Sequence, residues 1–154
     1  MSILILEGAD ATGKSSHAEW HRKYNGATVI HAGAPTHVDW YDEYIKPLWD
    51  RGDENIVLDR WHLGEMVWPK VFHRPSLFDD RTFNLCNEAL ADLGARIKIV
   101  WRAPNFIEKT LRERGELDQL DNVLRGQDAF LDLLPKIKTI SVEIVESDVL
   151  ERNI

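Results

Sequence analysis

The stretch Gly8-Ala9-Asp10-Ala11-Thr12-Gly13-Lys14-Ser15 restricts the fold more than any other part of this sequence. It fits G-x-x-x-x-G-K-[ST] and lies between a continuous apolar run, Ser2-Ile3-Leu4-Ile5-Leu6, and a segment, 15–24, that reads as a helix. A run that is apolar at every position, rather than at alternate ones, is what a strand buried on both faces of a parallel sheet requires. A glycine-rich turn from such a strand into a helix aims backbone N–H groups and the positive end of the helix at one point, which is an anion site. Lys14 adds a charge toward the outer phosphates and Ser15 offers a hydroxyl to Mg2+. The implied ligand is a nucleoside triphosphate with magnesium, held by Gly8, Asp10, Ala11, Thr12, Gly13, Lys14, Ser15 and Ser16. A plain connecting turn accounts for the glycines but gives no reason for Lys14 followed by Ser15.

The rest of the chain alternates in the same way. Strands are expected over 27–32, 55–59, 97–101 and 139–145, and helices over 39–49, 61–72, 79–93, 107–114 and 120–134. Alternating strands and helices imply parallel βαβ units, so the class is α/β with three layers. At 154 residues and 44% hydrophobic composition one core suffices, and 1–154 reads as a single domain. The one cysteine, Cys86, cannot bridge within the chain, and a reducing cytoplasm is the expected setting. There is no 18-residue apolar run and no secretory leader pattern, so neither a membrane nor export is expected. With 26 acidic against 19 basic residues the net charge is -7, the wrong sign for holding nucleic acid mainly through its phosphates. Anionic ligands must then meet local cations. Asp59 ends the third strand where parallel-sheet ligands lie, placed to hold the magnesium shell; alternatively it caps the helix that follows. Arg60, beside it, is set for a bidentate phosphate contact or for a salt bridge.

Three motifs together resemble thymidylate kinases. Glu7-Gly8-Ala9-Asp10-Ala11-Thr12-Gly13-Lys14-Ser15-Ser16 is similar to that family's E-G-x-D-x-x-G-K-[ST]-[ST] loop, Leu58-Asp59-Arg60-Trp61 to its D-R-[YFH] element, and Arg112-Glu113-Arg114-Gly115-Glu116-Leu117-Asp118 to its lid. The resemblance implies a P-loop kinase fold with a five-stranded parallel sheet in the order 2-3-1-4-5 and a helical lid at about 112–126. It implies that Asp10 approaches the acceptor's sugar, that Arg60 bridges donor and acceptor phosphates, and that Arg112 and Arg114 swing over the triphosphate. Ala11 stands where one subclass carries a loop arginine, which leaves the cation to the lid. Since phosphoryl transfer is mostly positioning and charge stabilisation, Lys14, Asp59, Arg60, Arg112 and Arg114 form the expected catalytic set. Without the resemblance, Arg112, Arg114 and Arg125 read equally as a solvated face paired with Glu113, Glu116 and Asp121. Similar kinases are usually dimers, so a homodimer is implied, in the host cytoplasm if the chain is phage-encoded.

The departures concern the acceptor. The family's R-E-P-G-like segment is replaced by His31-Ala32-Gly33-Ala34-Pro35-Thr36-His37, without arginine, and the stretch to the third strand is about half the family's length. Trp61, His62, Glu65 and Arg74 are expected to contact substrate, and Trp40, Tyr41, Trp68 and Phe72 either stack on a base or fill the core. His17 and His21 have i, i+4 spacing but no third ligand, and read as ordinary helix residues. The leading expectation is ATP- and Mg2+-dependent transfer to a deoxynucleoside monophosphate, with dTMP as the type. The alternative is a kinase acting on a hydroxyl of a nucleoside or of a hydroxymethylated base in DNA, with Glu65, Asp59 or Glu7 as base. A regulatory nucleotide switch would need an N-K-x-D element, which the sequence lacks.

Overall fold

The computed structural model describes residues 2–51 and 54–147. Five parallel strands, β1 Ser2–Glu7, β2 Thr28–His31, β3 Asn55–Asp59, β4 Ala95–Trp101 and β5 Ser141–Glu146, form one sheet in the order β2-β3-β1-β4-β5. The helices are α1 Lys14–Asn25, α2 Trp40–Tyr44, α3 Gly64–Val71, α4 Asp80–Asp92, α5 Pro104–Glu113 and α6 Leu120–Asp132. The α/β class and the strand order agree with expectation. The short tail expected beyond the fifth strand lies outside the described residues.

The continuous apolar run of β1 is explained by strand pleating, which sends successive side chains to opposite faces. Ile3 and Ile5 join Ile56, Leu58, Ile97 and Ile99 in the main core, which α3, α4 and α6 cover with Met66, Val67, Phe83, Leu90 and Phe130. Leu4 and Leu6 face the other way and pack with Val57 and Ala18 of α1. A third, smaller cluster lies under the glycine-rich loop: Ala9 and Ala11 pack against Ile107 and Leu111 of α5 and Val123 of α6. Each fully buried aliphatic or aromatic side chain contributes about 1.5–3 kcal/mol, so the loop is braced by a core of its own.

Prolines account for most differences from the expected helix bounds. The helix expected over 39–49 splits into α2 and a 3-10 turn, Lys46–Leu48. Pro47 has no N–H to continue the ladder, and its ring crowds the preceding turn. The helix expected from 61 begins at Gly64 instead, and it contains Pro69. The ring of Pro69 leaves the Glu65 carbonyl without its helical partner, and the Ser76 hydroxyl donates to that carbonyl instead. Helix α5 begins at Pro104, earlier than 107, with proline in the first turn where a missing N–H costs nothing. Asp79 opens α4 with a capping box: its carboxylate accepts from Thr82 N at 2.8 Å, and its own N–H donates to Thr82 Oγ1 at 3.0 Å.

Candidate active site

Register brings the site together. Leu6 pairs with Asp59 and Glu7 with Ile99, so the carboxyl ends of β1, β3 and β4 meet at one edge of the sheet, the ligand-binding edge of open parallel sheets. Gly8 leaves β1 with φ +148°, and a Cβ there would lie 2.6 Å from Val100 O. Only glycine passes so close to β4. Gly13 caps α1 at φ +86°, while Ala11 takes φ +64° without being glycine, a strain of about 1 kcal/mol. Thr12 Oγ1 donates to Ala9 O at 2.8 Å and closes the loop. The loop lines a cavity of about 190 Å³ that also meets Arg60 and Arg114.

Asp59 does not cap a helix. Its carboxylate pairs with Lys14 Nζ at 3.0 Å, accepts from Ser15 Oγ at 3.0 Å and lies 2.8 Å from His31 Nδ1. Burial pushes this carboxyl up, but the Lys14 ammonium and the hydrogen bonds from Lys14 and Ser15 outweigh it and hold the group below its ordinary value. It is therefore an anion at neutral pH, with both oxygens engaged, and is a poor candidate for a base. Ser15 and Asp59 fit magnesium, a hard cation that takes one or two protein oxygens and otherwise water and phosphate. Among the described residues no cluster of three or more His, Cys, Asp or Glu could hold a metal alone.

A second cavity, about 320 Å³, opens between the loop 32–34, α3 and the start of α6. Asp10 and Arg60 line both this cleft and the loop cavity. Arg60, at φ +65° on the tip of β3, donates its N–H to Leu6 O at 2.9 Å and pairs its guanidinium with Asp10. Trp61, Glu65 and Arg74 also line the cleft. The Trp61 indole N–H donates to Tyr44 O at 3.1 Å. Glu65 pairs with Arg74 at 3.1 Å and accepts from Leu77 N at 3.4 Å.

The aromatic candidates divide. Trp68 and Phe72 line the cleft, whereas Trp40 and Tyr41 pack against the main core and do not line it. His62 corrects the expectation of a substrate contact. The turn before α3 buries it completely, with Nε2 2.6 Å from Asn87 Oδ1, and desolvation carries its pKa down to about 4. His17 is also buried, packed edge-on to His21, without the third ligand a metal would need.

The lid arginines part company too. Arg114 reaches the loop cavity, Arg112 pairs with Glu108 at 3.1 Å, and Arg125 with Asp121 at 3.1 Å. Residues 112–119 are exposed throughout, while α6 is packed, with Val123 and Phe130 buried. The continuously exposed part of the expected lid is thus 112–119.

Glu7, which opens the kinase-like loop motif and is one of the three candidate bases, proves to be buried. It lines the cleft at 1% exposure, with Oε2 accepting from Leu63 N at 2.6 Å and Oε1 without a hydrogen-bond partner among the described residues. Burial raises its pKa to about 7, against the pull of the Trp61 and Leu63 N–H groups and Lys14. The available signal was an ionisable residue ending a five-residue apolar strand. His31 against Asp59, and Gln119 and Asn122 in the cleft, carried no sequence signal of their own.

No family model and no curated protein matches the chain. Solved structures do. A crystal structure of the YorR protein of Bacillus subtilis in complex with phosphorylated GDP is similar over 98% of this chain and 92% of that one, with TM-score 0.75 and 18% identity. Polyphosphate kinase 2 of Arthrobacter aurescens is similar over 94% of this chain and 60% of its own, with TM-score 0.69 and 16% identity. Deoxyadenosine kinase of M. mycoides with bound dATP is similar over 99% and 98%, with TM-score 0.62 and 16% identity. The chain has the fold of P-loop kinases.

Proposed function

We propose that the protein is a nucleotide kinase that transfers the γ-phosphoryl group of ATP, with magnesium, to a deoxynucleoside monophosphate of the dTMP type. The observation that carries the reading is Arg60: one guanidinium lines both the phosphate-loop cavity and the cleft beside it. A cation shared by two cavities stabilises charge on a group passing between them. The loop and Lys14 hold the donor phosphates, Arg114 approaches from the exposed segment, and Ser15 and Asp59 hold the magnesium. Held there, the ion would supply positive charge against the negative charge that develops on the donor phosphates. The acceptor base stacks on Trp68 and Phe72, whose rings lie 5.8 Å apart at 28°, and its polar edge meets Glu65 and Arg74. An anionic acceptor oxygen attacks the γ-phosphorus, the bond to the bridging oxygen breaks, and ADP leaves; no proton has to be removed. The kinase fold supports this reading, as does the YorR structure, which holds a phosphorylated nucleotide.

Glu7 favours a second reading, transfer to a hydroxyl. A carboxyl that lines the cleft, with one oxygen free of hydrogen-bond partners among the described residues and a pKa raised to about 7, suits a base that accepts the hydroxyl proton as the oxygen attacks. The absence of arginine from 32–37 points the same way.

Both readings are tested with γ-labelled ATP, Mg2+ and separate pools of deoxynucleoside monophosphates, nucleosides and hydroxymethyluracil-containing DNA. Label is expected in the monophosphate pool; label in the nucleoside or DNA pool supports the hydroxyl reading. No transfer to any pool, with ATP hydrolysis indifferent to all of them, sinks both. Lys14→Ala is expected to lower transfer at least about 10²-fold, with circular dichroism confirming the fold.

A further inference from the structure

Gly126 lies inside α6 and is buried, an unfavourable place for glycine, because a mid-helix glycine weakens its helix. The reason is across the gap between α6 and α3. A Cβ on Gly126 would stand 2.4 Å from Trp68 Cη2 and 2.5 Å from Trp68 Cζ3, far inside van der Waals contact. The indole therefore rests directly on the α6 backbone. Its other edge is also close-fitted, though less tightly: a Cβ on Gly64, one turn earlier on the same helix, would lie 3.3 Å from Trp68 Cδ1. Phe72 stacks at 5.8 Å, and Phe130 meets the ring edge-on at 6.0 Å. The remaining side of Trp68 faces the cleft that it lines with Arg60, Glu65 and Arg74.

We propose that Gly126 is a positioning residue for the acceptor site, whose missing side chain seats the Trp68 indole against α6 and so sets how much of the cleft is open to an acceptor base. A methyl group at 126 has to displace the ring. With Phe72, Phe130 and α6 closing the other directions, the ring moves toward the cleft and occupies the acceptor's place. The donor cavity does not include Trp68; the ring meets the loop only through the small core of Ala9, Ala11, Ile107, Leu111 and Val123 beneath it, so a shift of the ring toward the cleft falls first on acceptor binding. The functional half of this inference rests on the kinase reading above; the seating of the indole does not.

Initial rates and thermal melts of the wild type, Gly126→Ala, Trp68→Leu and the double variant test both halves. Gly126→Ala is expected to raise the KM for the preferred monophosphate at least tenfold, with the KM for ATP within twofold. In the double variant it adds no further penalty to Trp68→Leu, since no indole remains to meet the methyl. The melts read the seat without activity: Gly126→Ala lowers Tm when Trp68 is present and raises it, through better helix propensity, when Trp68 is leucine. An unchanged acceptor KM in Gly126→Ala, additive penalties in the double variant, or the same sign of Tm change in both backgrounds overturns the proposal. A sign reversal in Tm with no transfer to any acceptor by the wild type supports the seat and removes the kinase reading.

Discussion

Replacing Glu7 with glutamine tests the electrostatics of the cleft and the choice of acceptor together. The Glu7 carboxyl is 1% exposed, so solvent screens it little, and burial moves its pKa from the ordinary 4.5 to about 7. Below the ordinary value the folded and unfolded chains both carry the proton, and the site costs nothing. Between the two values the folded chain keeps a proton that the unfolded chain has given up, so folding stability falls as pH rises. Above about 7 both forms are ionised and the whole cost, about 3 kcal/mol, is present. Glutamine is neutral at every pH and still offers Leu63 N an acceptor. The stability of Glu7→Gln relative to wild type should therefore grow by about 3 kcal/mol between about pH 5 and about pH 8. With a urea slope of about 2 kcal/mol/M, the difference between the unfolding midpoints changes by about 1.5 M over that range. Taking the difference cancels His17 and His62, which titrate alike in both proteins. A difference that stays level with pH within about 0.5 kcal/mol would refute the assignment of a costly buried carboxylate. The same variant reads the acceptor: if Glu7 takes a hydroxyl proton, kcat falls by about 10²–10⁴, whereas transfer to a phosphate oxygen needs no base and falls far less.

Two further outcomes follow from the geometry. Asp79→Ala removes the carboxylate half of the capping box on α4 and should cost about 1 kcal/mol, read as a drop in Tm of about 2–4 °C with transfer kinetics unchanged. Gly8→Ala places a methyl 2.6 Å from Val100 O at a φ of +148°; it should cost about 1–3 kcal/mol in urea unfolding and weaken ATP binding, and a variant that binds ATP like the wild type would contradict the close passage of the loop by β4.

Local rules carried the donor half of the molecule. The apolar run of β1, the loop of glycines with Lys14 and Ser15, and the strand ending in Asp59 are adjacent in sequence to the features that explain them, so periodicity and turn chemistry were enough. The sheet order followed from resemblance, and the register of β1 with β3 and β4 agrees with it. Helix bounds failed at Pro47, where a residue without an N–H outweighs a helical pattern, and at Pro104, which opens α5 earlier than its apolar pattern implies. His62 was expected in the cleft and Trp40 either there or in the core, because composition does not say which way a side chain faces once a turn has been made.

The sequence by itself determined that a glycine-rich loop would stand at the carboxyl edge of a parallel sheet, since φ/ψ preference and side-chain period act over a few residues. The tertiary structure alone decided the acceptor cleft. Glu7 meets the Leu63 N–H across 56 positions of chain, and Trp68 of α3 meets Gly126 of α6 only because those helices pack over the same face of the sheet. Burial that raises a carboxyl's pKa, and a space that admits an indole but not a methyl group, belong to the packed interior, where segments far apart in the chain exclude water and one another's volume.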